Sequence, residues 1–287
     1  MKRSCFSAIV IFFCMSSLWT LEPPTDTPAF IRLFGQRIEG SAVEQGLTFE
    51  KSDAVRAADH GILLITLDTK SRSGSFPSTL GNAAVLLHDD GLQTIYGNLE
   101  NTHLLQNRSY TETKTVIGRT GSSGWGTPQA LIFQVSDIQK QVYINPLLLL
   151  PAIEDNTAPH IQNVFLVSER NTAIPAAGQK NIRQGTYELY ADISDTVTAG
   201  GRSFSPFRIS VFVNGTTVRI IPFETILQKQ GFLHLGNTAL TDTLLYRRPQ
   251  VLYLGKIMLN RGKCDLLITA RDITGNEKSE LFPLQVE

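Results

Sequence analysis

Leu86-Leu87-His88-Asp89-Asp90-Gly91-Leu92-Gln93-Thr94-Ile95-Tyr96-Gly97-Asn98-Leu99 reads as a strand, a tight turn and a second strand. Short runs of the same kind flank it at Ile62–Leu67, Ala83–His88, Gln93–Tyr96, Thr115–Ile117, Leu131–Val135 and Val142–Ile144. Each is rich in β-branched or apolar residues and bounded by Gly, Asn, Asp or Ser, and almost nothing between them repeats with helical period. The first half is therefore all-β. Leu147–Pro151 closes it with an apolar strap, and Glu154-Asp155-Asn156-Thr157-Ala158-Pro159 is a polar, proline-terminated linker.

The second half is also β but patterned differently. Tyr187, Leu189, Ala191 and Ile193 alternate with polar or half-polar neighbours, as do Phe207, Ile209, Val211 and Val213 ahead of an Asn214-Gly215 turn. Leu266, Ile268 and Ala270 repeat the alternation before the turn Asp272-Ile273-Thr274-Gly275-Asn276. Pro222 before Phe223–Gln230 and Gly231 after it predict one short helix. Short strands with turns at this spacing suggest a two-sheet sandwich.

Hydrophobic residues make up 42% of the 287 and charged residues 18%, the balance of a folded globular chain. Lys2 and Arg3 followed by the uncharged run Cys5–Trp19 read as a secretory signal over residues 1–21. Glu22-Pro23-Pro24 stops that run short of a comfortable membrane span, the alternative being an uncleaved anchor. Lys+Arg and Asp+Glu number 26 each, so loss of Lys2 and Arg3 leaves 24 against 26. No basic surplus exists for phosphates, which excludes nucleic acid as an expected partner. Of three cysteines, only Cys264 lies beyond the signal, so no disulfide forms within one mature chain.

In the first half, the hairpin at Leu86–Leu99 is followed by Ile117-Gly118-Arg119-Thr120-Gly121-Ser122-Ser123-Gly124-Trp125-Gly126, then Leu131-Ile132-Phe133-Gln134-Val135, then Asn145-Pro146-Leu147. That succession closely resembles the lysostaphin-type (LytM-like) zinc endopeptidases of peptidoglycan. The resemblance implies a lysostaphin-type β-sheet domain, the duplicated hybrid motif, over residues 28–153. The ends of the second half, Asp155-Asn156-Thr157-Ala158-Pro159-His160-Ile161 and Ala270-Arg271-Asp272-Ile273-Thr274-Gly275-Asn276, resemble bacterial immunoglobulin-like modules. They imply an immunoglobulin-like β-sandwich over residues 156–287.

The peptidase resemblance also implies a metal site. In that family a His-x-x-x-Asp pair gives two zinc ligands, and a His-x-His pair on a later strand gives a third ligand and a base. A Tyr-x-His-Leu histidine assists. Here the matching positions are Glu44 and Thr48, Ala130 and Ile132, and Asn98. Glu44 alone keeps a ligating atom, and one carboxylate does not hold a catalytic zinc, which needs three protein ligands. The replacements imply no zinc cofactor, no catalytic residue, and a former active site refilled with apolar atoms from Ala130 and Ile132.

Other readings stay open. Glu44, His60 and His88 are a displaced ligand set, in which case the chain is an active metallopeptidase. Without metal, a groove around Tyr96, Asn98, Gly124 and Trp125 is left to bind. Asn98 can donate and accept hydrogen bonds, and Trp125 is an aromatic in a Gly/Ser loop. The expected partners are then peptidoglycan or a cell-wall hydrolase that the chain regulates. A third reading makes the protein structural or adhesive, working through its β-sandwich. All three place it outside the cytoplasm of a bacterium, in the periplasm or cell envelope, with no stable membrane span once the signal is removed.

Overall fold

The computed structural model describes residues 21–38, 43–70, 78–178, 181–197 and 201–287. The expected signal lies outside them except for Leu21, whose buried side chain and N–H bond to the Leu149 carbonyl tie the chain to the first half. Among the described residues no helix is long and apolar enough to cross a membrane.

In chain order the first half supplies β1 (Phe30–Arg32), β2 (Leu47–Phe49), β3 (Val55–Arg56), β4 (Gly61–Leu67), β5 (Asn82–Leu87), β6 (Leu92–Leu99), β7 (Tyr110–Thr111), β8 (Val116–Gly118), β9 (Leu131–Asp137) and β10 (Val142–Ile144). The stretch Leu86–Leu99 is the β5–β6 hairpin, closed by Gly91 at φ 82° and by the Asp90 carboxylate accepting the Leu92 N–H. Pairing is antiparallel in the order β7-β4-β5-β6-β9-β10, and β9 pairs β2 along the rest of its far edge, with β1 outside β2. Alternation along β9 decides which residues face where. Leu131, Phe133 and Val135 turn into a core with Leu47, Phe49, Tyr96 and Ile117, whereas Ile132 and Gln134 turn to the opposite face.

The second half contains β11 (His160–Ser168), β12 (Ala173–Pro175), β13 (Gly185–Ser194), β14 (Arg208–Val213), β15 (Thr216–Pro222), β16 (Thr225–Lys229), β17 (Phe232–Leu235), α1 (Asp242–Leu245), β18 (Leu252–Leu259), β19 (Gly262–Arg271) and β20 (Glu277–Val286). Two four-stranded sheets, β12-β11-β13-β18 and β15-β14-β19-β20, share one core in which Leu166, Leu189 and Tyr190 meet Ile209, Val211 and Ile268. The Asn214-Gly215 turn closes β14–β15 with both residues at positive φ.

The helix expected over Phe223–Gln230 does not form. Those residues are mostly β16, and Gly231 is no helix stop. With Gln230 it makes a two-residue turn, both φ positive, that folds β17 back onto β16. The reason is tertiary. β16 pairs with β10 (Val142 with Leu227, Tyr143 with Ile226), so a hairpin of the second half extends the first half's sheet and covers its edge. Asn145 holds the junction, donating its backbone N–H to the Glu224 carbonyl at 2.8 Å and Nδ2 to the Phe223 carbonyl at 2.9 Å. The Phe223 ring lies so close to Gly35, at φ 78°, that a Cβ there would come within 2.3 Å of it. One sheet thus takes strands from both halves of the chain.

Candidate functional site

The register of the first sheet sets one row of residues across four neighbouring strands. Arg32 on β1 faces Thr48 on β2, Thr48 faces Ile132 on β9, and Ile132 faces Gly97 on β6. Directly opposed residues in antiparallel strands project to the same face, so Arg32, Thr48 and Ile132 stand side by side on the face that β9 turns away from the core. Gly97 has no side chain to contribute, and Leu80 lies over it. Above the row is a cleft of about 470 Å³ bordered by Arg32, Glu44, Leu80, Trp125, Ile132 and Tyr143.

A polar network occupies one end of the cleft. Glu44 is 4% exposed, and its Oε2 accepts from Arg32 Nε at 3.1 Å and from the Thr48 hydroxyl at 2.8 Å. Arg32 Nη1 donates to Thr127 Oγ1 at 2.9 Å. A buried carboxylate is tolerable only with such partners, since desolvation without them costs several kcal/mol. The expectation of an apolar refilling is therefore corrected. Ile132 does present apolar atoms to the cleft, but a guanidinium and a carboxylate sit beside it. Arg32 escaped the sequence reading because it precedes every motif quoted there.

Two expected groove residues are also corrected. Tyr96 is fully buried, and its hydroxyl accepts the Ala58 N–H at 2.7 Å. Burial, above all, pushes its pKa up to about 12. Asn98 is buried at φ 62°, and its Nδ2 donates to the carbonyls of Gly121, Thr127 and Ala130 at 2.9, 3.1 and 2.8 Å. Its Oδ1 accepts the Gly124 N–H at 2.9 Å. Both side chains are spent on holding backbone, and neither reaches the cleft. Gly124 serves the same loop, since a Cβ there would stand 2.8 Å from the Thr79 carbonyl oxygen. Trp125 differs from these three. Its N–H is anchored to the Thr79 carbonyl, while its side chain is 74% exposed at the mouth of the cleft.

Comparison with known proteins bears on this frame. A model of peptidase family M23 matches residues 43–146. This chain carries a peptidase family M23 domain. It also belongs with a protein of Treponema pallidum (strain Nichols), described as uncharacterized, that is 36% identical over 143 residues, 46% of this chain and 97% of that one. A second family model matches residues 158–287. Among solved structures, the catalytic domain of lysostaphin from Staphylococcus simulans is 20% identical, covering 42% of this chain and 90% of that one at a TM-score of 0.34. The SpoIIQ–SpoIIIAH pore-forming complex gives 16% identity, 47% and 92% coverage and a TM-score of 0.37.

The M23 domain's own donor set does not suit a catalytic zinc. Ala130 and Ile132 carry no ligating atom, the amide nitrogen of Asn98 has no lone pair to offer, and Glu44 is already engaged by a cation and a hydroxyl. The displaced set Glu44, His60 and His88 does not assemble either. His88 is buried, with Nδ1 on the His60 carbonyl at 2.6 Å and Nε2 on Thr94 Oγ1 at 2.8 Å, and His60 lies between Asp59 and Asp89. Among the described residues, the one group of three or more His, Cys, Asp or Glu side chains with atoms within 4.8 Å of one another is Asp155, Asp195 and Asp272, in the second half. There Asp272 braces the predicted turn by accepting the Gly275 and Asn276 N–H groups. Burial, more than the neighbouring carboxylates, pushes Asp195 up to about 7. A larger apolar hollow of about 560 Å³ lies where Phe30, Leu150 and Phe204 meet, and its facing charges, Glu50 and Arg202, pair with each other at 3.1 Å.

Proposed function

We propose that this protein is an exported cell-envelope protein whose M23 domain binds the peptide part of peptidoglycan without hydrolysing it. The observation that carries this reading is the Arg32–Glu44–Thr48 network. It stands where the family resemblance puts the metal ligands, and it leaves the adjoining cleft open with Trp125 exposed at its rim. A guanidinium beside the only remaining carboxylate supplies a fixed positive charge where a hydrolase needs a metal with a free coordination position. No metal-bound water is generated, and binding is what remains. The second half, of immunoglobulin-like type in this reading, braces the M23 sheet by lending it the β16–β17 hairpin.

Two measurements test it together. Protein exposed to excess zinc and then desalted retains far less than one zinc per chain by mass spectrometry, and it leaves purified sacculi uncut. Wild-type protein sediments with those sacculi, and Trp125→Ala weakens the sedimentation. Stoichiometric zinc with release of peptide fragments overturns the non-catalytic reading. Zinc-free protein that ignores sacculi overturns the peptidoglycan ligand and leaves a cell-wall hydrolase as the partner to test.

A further inference from the structure

The Arg32 side chain has more to give than the network takes. We infer that Arg32 is the recognition residue of the cleft, and that its ligand is a peptide bearing a free carboxylate. This deepens the reading of the cleft as a non-catalytic peptide site and rests on it.

Three observations lead there. Nε and Nη1 of Arg32 are held by Glu44 and Thr127, but Nη2 has no hydrogen-bond partner among the described residues. Nη2 lies on the cleft side, beside Gly126, where a Cβ would stand only 3.9 Å from it, and both residues border the cleft. The side chain is 18% exposed, so the group is mostly withdrawn from water yet still reachable. A guanidinium has five N–H donors in a rigid planar fork. Two are committed, and both hydrogens of Nη2 with the second of Nη1 are left for a ligand with two acceptors.

The acceptor that matches two parallel N–H donors is a carboxylate, and such charge-assisted bidentate pairs are about twice as strong as neutral hydrogen bonds. A backbone carbonyl offers a single oxygen and uses the fork incompletely. The rest of the cleft favours the same ligand. Among the described residues Glu44 is the only other charged side chain on its border, and its Oε2 already takes Arg32 and Thr48. Leu80, Ile132 and Tyr143 supply apolar walls for small side chains next to the carboxylate, and the uncovered indole of Trp125 can close over a bound peptide. Glu44 thereby acts as a positioning residue, aiming the fork through its bond to Nε.

The test compares alanyl-alanine with its C-terminal amide by fluorescence titration of the full protein, using Trp125 at the cleft mouth as reporter. Wild type is expected to bind the free acid about tenfold more tightly than the amide. Arg32→Lys keeps a cation beside Glu44, so it stays folded by circular dichroism, but it loses the fork and with it the preference for the acid. Trp125→Ala, followed by calorimetry, retains the preference at lower affinity. Equal binding of acid and amide to wild type overturns the inference, as does an undiminished preference in Arg32→Lys. Sacculus binding that depends on Trp125 but is untouched by Arg32→Lys also overturns it, while leaving the cleft as the peptidoglycan site.

Discussion

Arg32 and Glu44, twelve positions apart, are joined by a 3.1 Å ion pair at the edge of the first sheet, and the carboxylate end of that pair is buried. The pair forms because β1 and β2 are antiparallel neighbours that put Arg32 opposite Thr48, whose hydroxyl donates to the same Glu44 oxygen. Cation and hydroxyl therefore both partner the carboxylate, which explains how the chain tolerates a buried acid here.

Removing the cation should expose that dependence. Arg32→Ala leaves Glu44 buried and uncompensated, and breaking such a pair costs about 3 kcal/mol. Arg32→Ala/Glu44→Gln should recover more than half of the loss, because the orphaned charge is gone. Urea unfolding of the two variants checks this. A loss under about 1 kcal/mol for the single variant places the pair among ordinary surface ion pairs.

Asn98 is expected to be structural. Asn98→Ala removes bonds to three carbonyls and one N–H and places alanine at φ 62°. Unsatisfied buried groups and left-handed strain together predict a loss of about 3 kcal/mol or more by urea unfolding. Asn98→His fails for the same reason, since an imidazole cannot reproduce a carboxamide's donors and acceptor. Near-wild-type stability of either variant returns Asn98 to the list of candidate binding residues.

Stability should fall as pH rises toward neutrality because of Asp195. Its pKa is raised from 3.8 to about 7, mainly by burial. Between those values the folded protein holds a proton that the unfolded chain has released, so each pH unit costs up to about 1.4 kcal/mol, and the loss is complete above pH 7. Asp195→Asn should be more stable than wild type at pH 8 and equal to it near pH 4. Melting curves across that window that stay parallel refute the assignment.

The β16–β17 hairpin should couple the halves. Ile226, fully buried on β16, pairs with Tyr143 of β10. Ile226→Ala, a core truncation costing about 2–4 kcal/mol, should raise amide exchange at Val142–Ile144 in the other half as well as around itself. Exchange confined to the second half shows that the shared sheet does not transmit the change.

Much of the fold was legible locally. The apolar run Leu131–Val135, the period-two alternation in Tyr187–Ile193, Gly91 in its turn and Asn214-Gly215 in another are properties of a few consecutive residues, and the strands lie close to where those signals put them. The M23 frame was legible too, because its motifs follow one another in sequence over residues 43–146. The misread segment, Phe223–Gln230, shows the limit. Proline before and glycine after suit a helix and equally a strand closed by a two-residue turn, and only pairing with β10 chose between them.

What the chain by itself determined was the all-β class and the M23 frame. What only the tertiary structure decided was which side chains meet around the cleft. Strand register brought Arg32 to Thr48 and Glu44, turned Tyr96 and Asn98 inward to satisfy backbone groups, and left Trp125 outside. The physical reason is that burial and ion pairing are settled between strands distant in sequence, where no local pattern records which side chain meets which.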